Sequence, residues 1–219
     1  MRSPQHDARQ TLARTVATVG LALAPALVAA ANGGETAGNN SLADYRVLGL
    51  QAAMQTKAAL GGELMQAMEA GGPQNAVAFC HTRALPITAA MSARLGMEIS
   101  RVSDQPRNPV NAASDRELAI IAAFKDALAA GRPPAQSVRQ HDAAVTGYYP
   151  IVTNSMCLNC HGREGVDISA ATQAVIDSNY PDDQATGYSE NELRGLFVVK
   201  MTRTGDDTRA MSPGSDGDE

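Results

Sequence analysis

The chain has no tryptophan, only three phenylalanines and five tyrosines in 219 residues. A core so poor in large rings has to find its bulk elsewhere, in aliphatic side chains or in a bound apolar body. Cysteine is scarce too, at three. The odd number excludes a framework in which every cysteine is paired. No second pair of ligands stands at zinc-site spacing from the one close cysteine pair, so a structural zinc site is excluded. No apolar run reaches the ~20 residues that a spanning helix needs, and no internal repeat recurs. Positive charge is not in excess either. The net charge of −5 argues against nucleic acid or an anionic membrane as partner.

What is present begins with two atypical ends. Arg2, Arg9 and Arg14 form a basic leader, and Thr15 to Val28 is an apolar run interrupted by Gly20 and Pro25. Ala29 to Ala31 offer an A-x-A-like cleavage site, so residues 1–31 read as a cleaved signal peptide and the mature protein as periplasmic, with no stable membrane span. Residues 32–40 are a Gly/Asn-rich linker, and 204–219 an acidic tail with the composition of disorder. Removing residues 1–31, which hold three Arg and one Asp, leaves about −7 on the mature chain. The remaining segment, 41–203, is one domain.

The most informative string is Cys157-Leu158-Asn159-Cys160-His161, a C-x-x-C-H attachment signature of c-type haem. Two thiols three positions apart can reach the two vinyl groups of one porphyrin, and the following imidazole then lies at the iron. A thioredoxin-like redox pair would sit on a βα unit and has no use for the histidine. One covalent haem c per chain is therefore expected, with His161 as an axial ligand. It leaves Cys80 without a disulfide partner.

Capping-box patterns open two helices, at Ser41 to Asp44 and Ser114 to Glu117. The first helix is expected to end at Gly71-Gly72-Pro73, with a bend at Gly61-Gly62. A second starts near Pro73, and a third runs from near Pro86 to Leu95. Leu118, Ile121, Phe124 and Leu128 make one apolar face of a further helix, ended by Gly131, Pro133 and Pro134. Met97 to Val102, Thr146 to Thr153 and Leu193 to Thr202 read as strands, Ser169 to Ser178 as helix, and Tyr180 to Tyr188 as loop. Helices in front and strands behind give an α+β fold with a small, mostly antiparallel sheet.

Four segments together resemble the Tll0287-like haem domain family, a domain of unknown function. They are Ala76 to Cys80 with Leu85-Pro86-Ile87; Arg101-Val102-Ser103 with Arg107-Asn108-Pro109-Val110-Asn111; Tyr149-Pro150-Ile151 running to Gly162; and Tyr180 to Tyr188 with Arg194-Gly195. The resemblance implies a PAS-like fold with a long N-terminal helix and a c-type haem.

The ligand opposite His161 has four candidates: Cys80, His81, His141 and Met156. Met156 directly precedes Cys157 and is poorly placed to cross to the far face, and His141 lies in a polar stretch. The resemblance implies Cys80, because similar chains pair histidine with cysteine at the iron; His81, next in sequence, stays as the alternative. Arg101 and Arg107 are candidates for the haem propionates, since a guanidinium fork suits carboxylates. Three functions follow. The first is a haem-based sensor of redox state or of a small ligand at the iron. The second is a soluble electron carrier with fixed ligands and a protein redox partner. The third, an enzyme of peroxidase type, needs distal acid–base groups that nothing nominates. Oligomeric state is left open.

Overall fold

A computed structural model describes residues 40–141 and 144–203. The expected leader, nearly all of the linker and the acidic tail lie outside the described residues. Helix α1 (Leu42–Leu95) is followed by β1 (Glu98–Val102), a 3-10 turn (Pro109–Asn111) and α2 (Asp115–Ala129). Strands β2 (Ser137–His141) and β3 (Ala144–Val152) lead into the short helix α3 (Ser155–His161), then α4 (Ala170–Asn179) and β4 (Leu193–Thr202). The four strands form one antiparallel sheet in the order β1-β4-β3-β2. The α+β architecture, small antiparallel sheet and long N-terminal helix expected from the sequence are what the chain adopts.

Local chemistry sets most of the boundaries. The Ser41 hydroxyl accepts the Asp44 N–H at 3.2 Å while the Asp44 carboxylate accepts the Ser41 N–H at 2.8 Å. Glu117 in the same way accepts the Ser114 N–H at 2.8 Å. Both satisfy donors that a helix start leaves orphaned. Gly71 and Gly72 have non-helical backbone and break α1 into limbs 42–70 and 73–95. Pro73 opens the second limb, where a missing N–H costs nothing. The Asn75 side chain reaches back across the break to the Ala67 carbonyl at 2.8 Å.

Two expectations are corrected. There is no bend at Gly61-Gly62; the helix runs through both. Nor does Pro86 start a third helix: the second limb continues across it, held by the buried Ala84, Ile87, Thr88 and Met91. Burial of that face outweighs one lost helical hydrogen bond. The polar stretch that holds His141 lies partly in edge strand β2, where His141 is half-buried. The C-x-x-C-H string forms a helix of its own, α3.

The sheet is buried on both faces, and strand alternation divides its residues between them. Phe197, Val199, Met201, Val145 and Ile99 pack against Tyr45, Ala52 and Ala53 of the first limb of α1. Leu196, Val198 and Tyr148 pack against Ile121 and Phe124 of α2. A third cluster joins Val77 of the second limb to Ile168, Ile176 and Tyr180. Between the second and third clusters the second limb stands off the sheet ends, and that gap is the cleft described below.

One close approach locks α1 to the sheet. The Tyr149 hydroxyl donates to the Arg46 carbonyl at 3.2 Å and lies 2.0 Å from where a Cβ on Gly49 would stand. Burial pushes the phenol up to about 12, so it stays a donor. Gly49→Ala gains roughly 1 kcal/mol of helix propensity but forces the ring aside, at roughly 1–3 kcal/mol. The expected outcome is a lower urea midpoint for Gly49→Ala, partly restored when Tyr149→Phe removes the colliding oxygen.

Candidate functional site

A cleft of about 290 Å³ opens between α1, α3 and the ends of β1, β3 and β4. Its walls bring together residues far apart in sequence: Cys80, Arg101 and Arg107, Cys157, Cys160 and His161, and Tyr180 and Arg194. Val77, Ala84, Val102, Ile151 and Val152 make much of the remaining lining apolar. β3 and β4 change register between Ile151 and Val152. A bulge of this kind re-aims side chains where a strand meets a site. The Thr153 hydroxyl then clasps the next loop, donating to the Ser189 carbonyl at 2.6 Å and accepting the Glu192 N–H at 2.9 Å.

Helix α3 fixes the geometry of the C-x-x-C-H string. Asn154 caps it, its side-chain oxygen accepting the Cys157 N–H at 3.2 Å. Cys157 and Cys160 stand three positions apart, so one helical face presents both thiols, and His161 follows on the same side. No disulfide joins any two of the three cysteines. Gly162 ends the helix because a Cβ there would stand 2.7 Å from the Leu158 carbonyl and 2.5 Å from Asp167.

The loop of residues 180–188 straps this segment from outside. The Tyr188 N–H donates to the His161 carbonyl at 2.9 Å, and the Gly187 N–H to the Gly162 carbonyl at 2.7 Å. The His161 ring nitrogen Nδ1 lies 2.8 Å from the Ala185 carbonyl. A carbonyl can only accept, so Nδ1 carries the proton and Nε2 keeps its lone pair for a metal. The residue as a whole is half-buried, yet its ring lies deep enough that burial is the largest influence on it. Together with Arg194 and Arg107, burial holds the imidazole well below its ordinary range, so it is neutral.

Arg107 and Asp183 hold the strap to the rest. Nε and Nη2 of Arg107 meet Asp183 Oδ2 at 3.1 and 2.9 Å, with the two side chains 10% and 8% exposed. Nη2 also donates to the Cys160 carbonyl at 2.5 Å, and Asp183 Oδ1 accepts the Ala185 N–H at 2.8 Å. Arg107 thus lines the cleft but is committed to this frame. Among the described residues the Arg101 guanidinium makes no hydrogen bond or ion pair; the groups that favour its charge are the Cys80 thiol and the Tyr180 phenol. Of the two arginines expected at an anionic group, Arg101 is the one with an uncommitted guanidinium.

Cys80 lines the cleft from the second limb of α1, half-buried, its thiol pushed up by burial against the opposing pull of Arg101 and Arg107. Its neighbour His81 is exposed, with its ring edge-on to Tyr180 at 5.1 Å and outside the lining. Met156 is at the cleft and 38% exposed, while His141 sits on β2 away from it. Among the described residues no three His, Cys, Asp or Glu side chains converge as a metal site, and none of their helices is long and apolar enough to cross a membrane. A metal that brought its own equatorial ligands would need only one or two donors here. Sequence reasoning gave no role to Asp183, Ala185 or Arg194; the Tyr180-to-Tyr188 string marked the first two as a unit, but only the tertiary pairing shows what they hold.

The frame can be probed by itself. Asp183→Ala leaves the Arg107 cation buried without its partner, a change that costs about 3–5 kcal/mol. It should lower the urea midpoint sharply and speed amide exchange at Gly187 and Tyr188. Asp183→Asn, which keeps an acceptor for the Ala185 N–H, should cost less on both measures.

No curated protein matches the chain. Among solved structures, the crystal structure of the cyanobacterial heme-protein Tll0287 is similar, with a TM-score of 0.55 and 21% identity over 74% of this chain and 96% of that one. At that identity the likeness is one of fold. A family model described as Tll0287-like matches residues 13–202. With most of its length inside that match, the chain belongs to the Tll0287-like family.

Proposed function

We propose that the chain is an exported, periplasmic c-type cytochrome. In this reading it carries one haem, attached through Cys157 and Cys160, with His161 and Cys80 as axial ligands. Family membership and the heme-protein neighbour support haem binding. The observation that carries the finer reading is the meeting of the C-x-x-C-H face and Cys80 on two walls of one largely apolar cleft. The donor set fits such a group: two thiols on one helical face, a neutral imidazole with Nε2 available, and an uncommitted cation at Arg101 for a propionate. When bound, the haem supplies a one-electron ferric/ferrous couple and a site where a small ligand can bind.

The residues around it do the positioning. α3 presents the thiols, Ala185 fixes the tautomer and orientation of His161, and the Arg107–Asp183 pair keeps the strap in place. Cys80 must lose its proton to become a ligand, and Arg101 and Arg107 are the charges that favour its thiolate. A thiolate paired with histidine lowers the reduction potential relative to methionine and histidine. An iron–thiolate bond is also exchangeable, which favours a sensor of redox state or of a small ligand over an electron carrier with fixed ligands.

Purified protein should keep its haem through acid–acetone extraction, and Cys157→Ala with Cys160→Ala should lose it; haem that washes out of the unaltered protein defeats the attachment. Deleting residues 1–31 should give a haem-free cytoplasmic chain. Oxidised protein should show low-spin iron with a thiolate charge-transfer band, abolished by Cys80→Ser and unaffected by His81→Ala. The reverse pattern moves the ligand to His81 and makes a fixed-ligand electron carrier the better reading.

A further inference from the structure

We infer that Arg194 is a positioning residue that opposes the pull of Ala185 on His161 and so raises the reduction potential of the iron. The inference rests on the haem reading above. Two groups address the same nitrogen. The Ala185 carbonyl stands 2.8 Å from Nδ1, and the Nε–H of Arg194 points at it from 3.4 Å. Nδ1 cannot donate to one and accept from the other. The shorter contact, to a group that can only accept, places the proton on Nδ1, so the arginine faces a ring N–H it cannot bond.

Its guanidinium is nevertheless held there. Nη1 donates to Ser103 Oγ at 2.8 Å and to the Gln105 carbonyl at 3.1 Å. The cation lies over the Tyr188 ring at 5.4 Å, and that ring stands edge-on to His161 with centroids 6.4 Å apart. Among the described residues every hydrogen bond of Arg194 goes to a neutral group; of the two carboxylates of the strap, Asp183 is bound to Arg107 and Asp182 is exposed. A cation that is always charged is therefore fixed beside the ligand ring with no ion pair of its own among the described residues.

The two neighbours act in opposite senses. A carbonyl drawing on the Nδ1 proton makes the imidazole a stronger donor and favours ferric iron. A positive charge at the same nitrogen resists that build-up of negative charge and favours ferrous iron, more strongly in a buried site than in water. The couple concerned is the uptake of one electron by the iron, with no bond made or broken.

The test is a spectroelectrochemical titration of the haem-loaded full chain. Arg194→Met should lower the midpoint potential. Arg194→Lys, which keeps the charge but loses the planar fork, should stay nearer the unaltered protein, although both variants lose the bonds to Ser103 and Gln105. Equal potentials in all three overturn the inference and leave the haem reading intact. If Arg194→Met does not fold, Ser103→Ala decides: it releases Nη1 and should lower the potential by less, whereas no change overturns the inference. An unaltered chain without haem overturns the earlier reading, and this one with it.

Discussion

The ion pair between Arg107 and Asp183 is the contact on which the cleft depends. It joins residues 76 positions apart and is almost closed to solvent. Through the Cys160 carbonyl it touches α3; through the Ala185 N–H it sets the carbonyl that orients His161. A buried pair of this kind is weak evidence of stability in itself, because desolvation cancels much of the attraction. Its value here is geometric. Nη2 of Arg107 and Oδ1 of Asp183 are also used on backbone groups of α3 and the strap, so the pair specifies one arrangement of three chain segments.

That frame also separates the arginines of the cleft by what they are attached to. Arg107 is committed to a carboxylate and to carbonyls, Arg194 to a hydroxyl and a carbonyl, and Arg101 to neither. With Arg107 neutralised by Asp183, Arg101 and Arg194 still leave this largely apolar cleft positive. An anionic occupant removes that cost, which is why the same residues that shape the walls also favour a negatively charged group within them.

The sequence was legible wherever the chemistry is local. Both capping boxes and the break at Gly71-Gly72 involve residues within four positions of one another, and each stands in the structure as read. Cys80 was reached by resemblance and by its odd number, and the fold brings it to the cleft. Pro86 misled because its helical cost is local while the burial of Ile87 and Met91 that outweighs it is tertiary. Strand β2 was missed because Ser137–His141 is polar and lies at the sheet edge, where alternation is weak. The commitments of Arg107 and Arg194 could not be read at all: their partners lie 76 and 91 residues away, and nothing in a linear pattern names them.

The position of β4 has a consequence for how the chain acquires its fold. Among the described residues it is the last strand in chain order, and yet it lies inside the sheet, between β1 and β3. Until residue 193 onward is available, β1 has no neighbour at all, and β2 with β3 can form only a two-stranded hairpin, which is marginal in water. Leu196, Val198 and Val199, which fill the two main cores, are missing until the same moment. Arg194 and Gly195, the part of the cleft wall that β4 supplies, are absent until then as well, so the cleft that Cys157 and Cys160 line is completed only when that strand is in place.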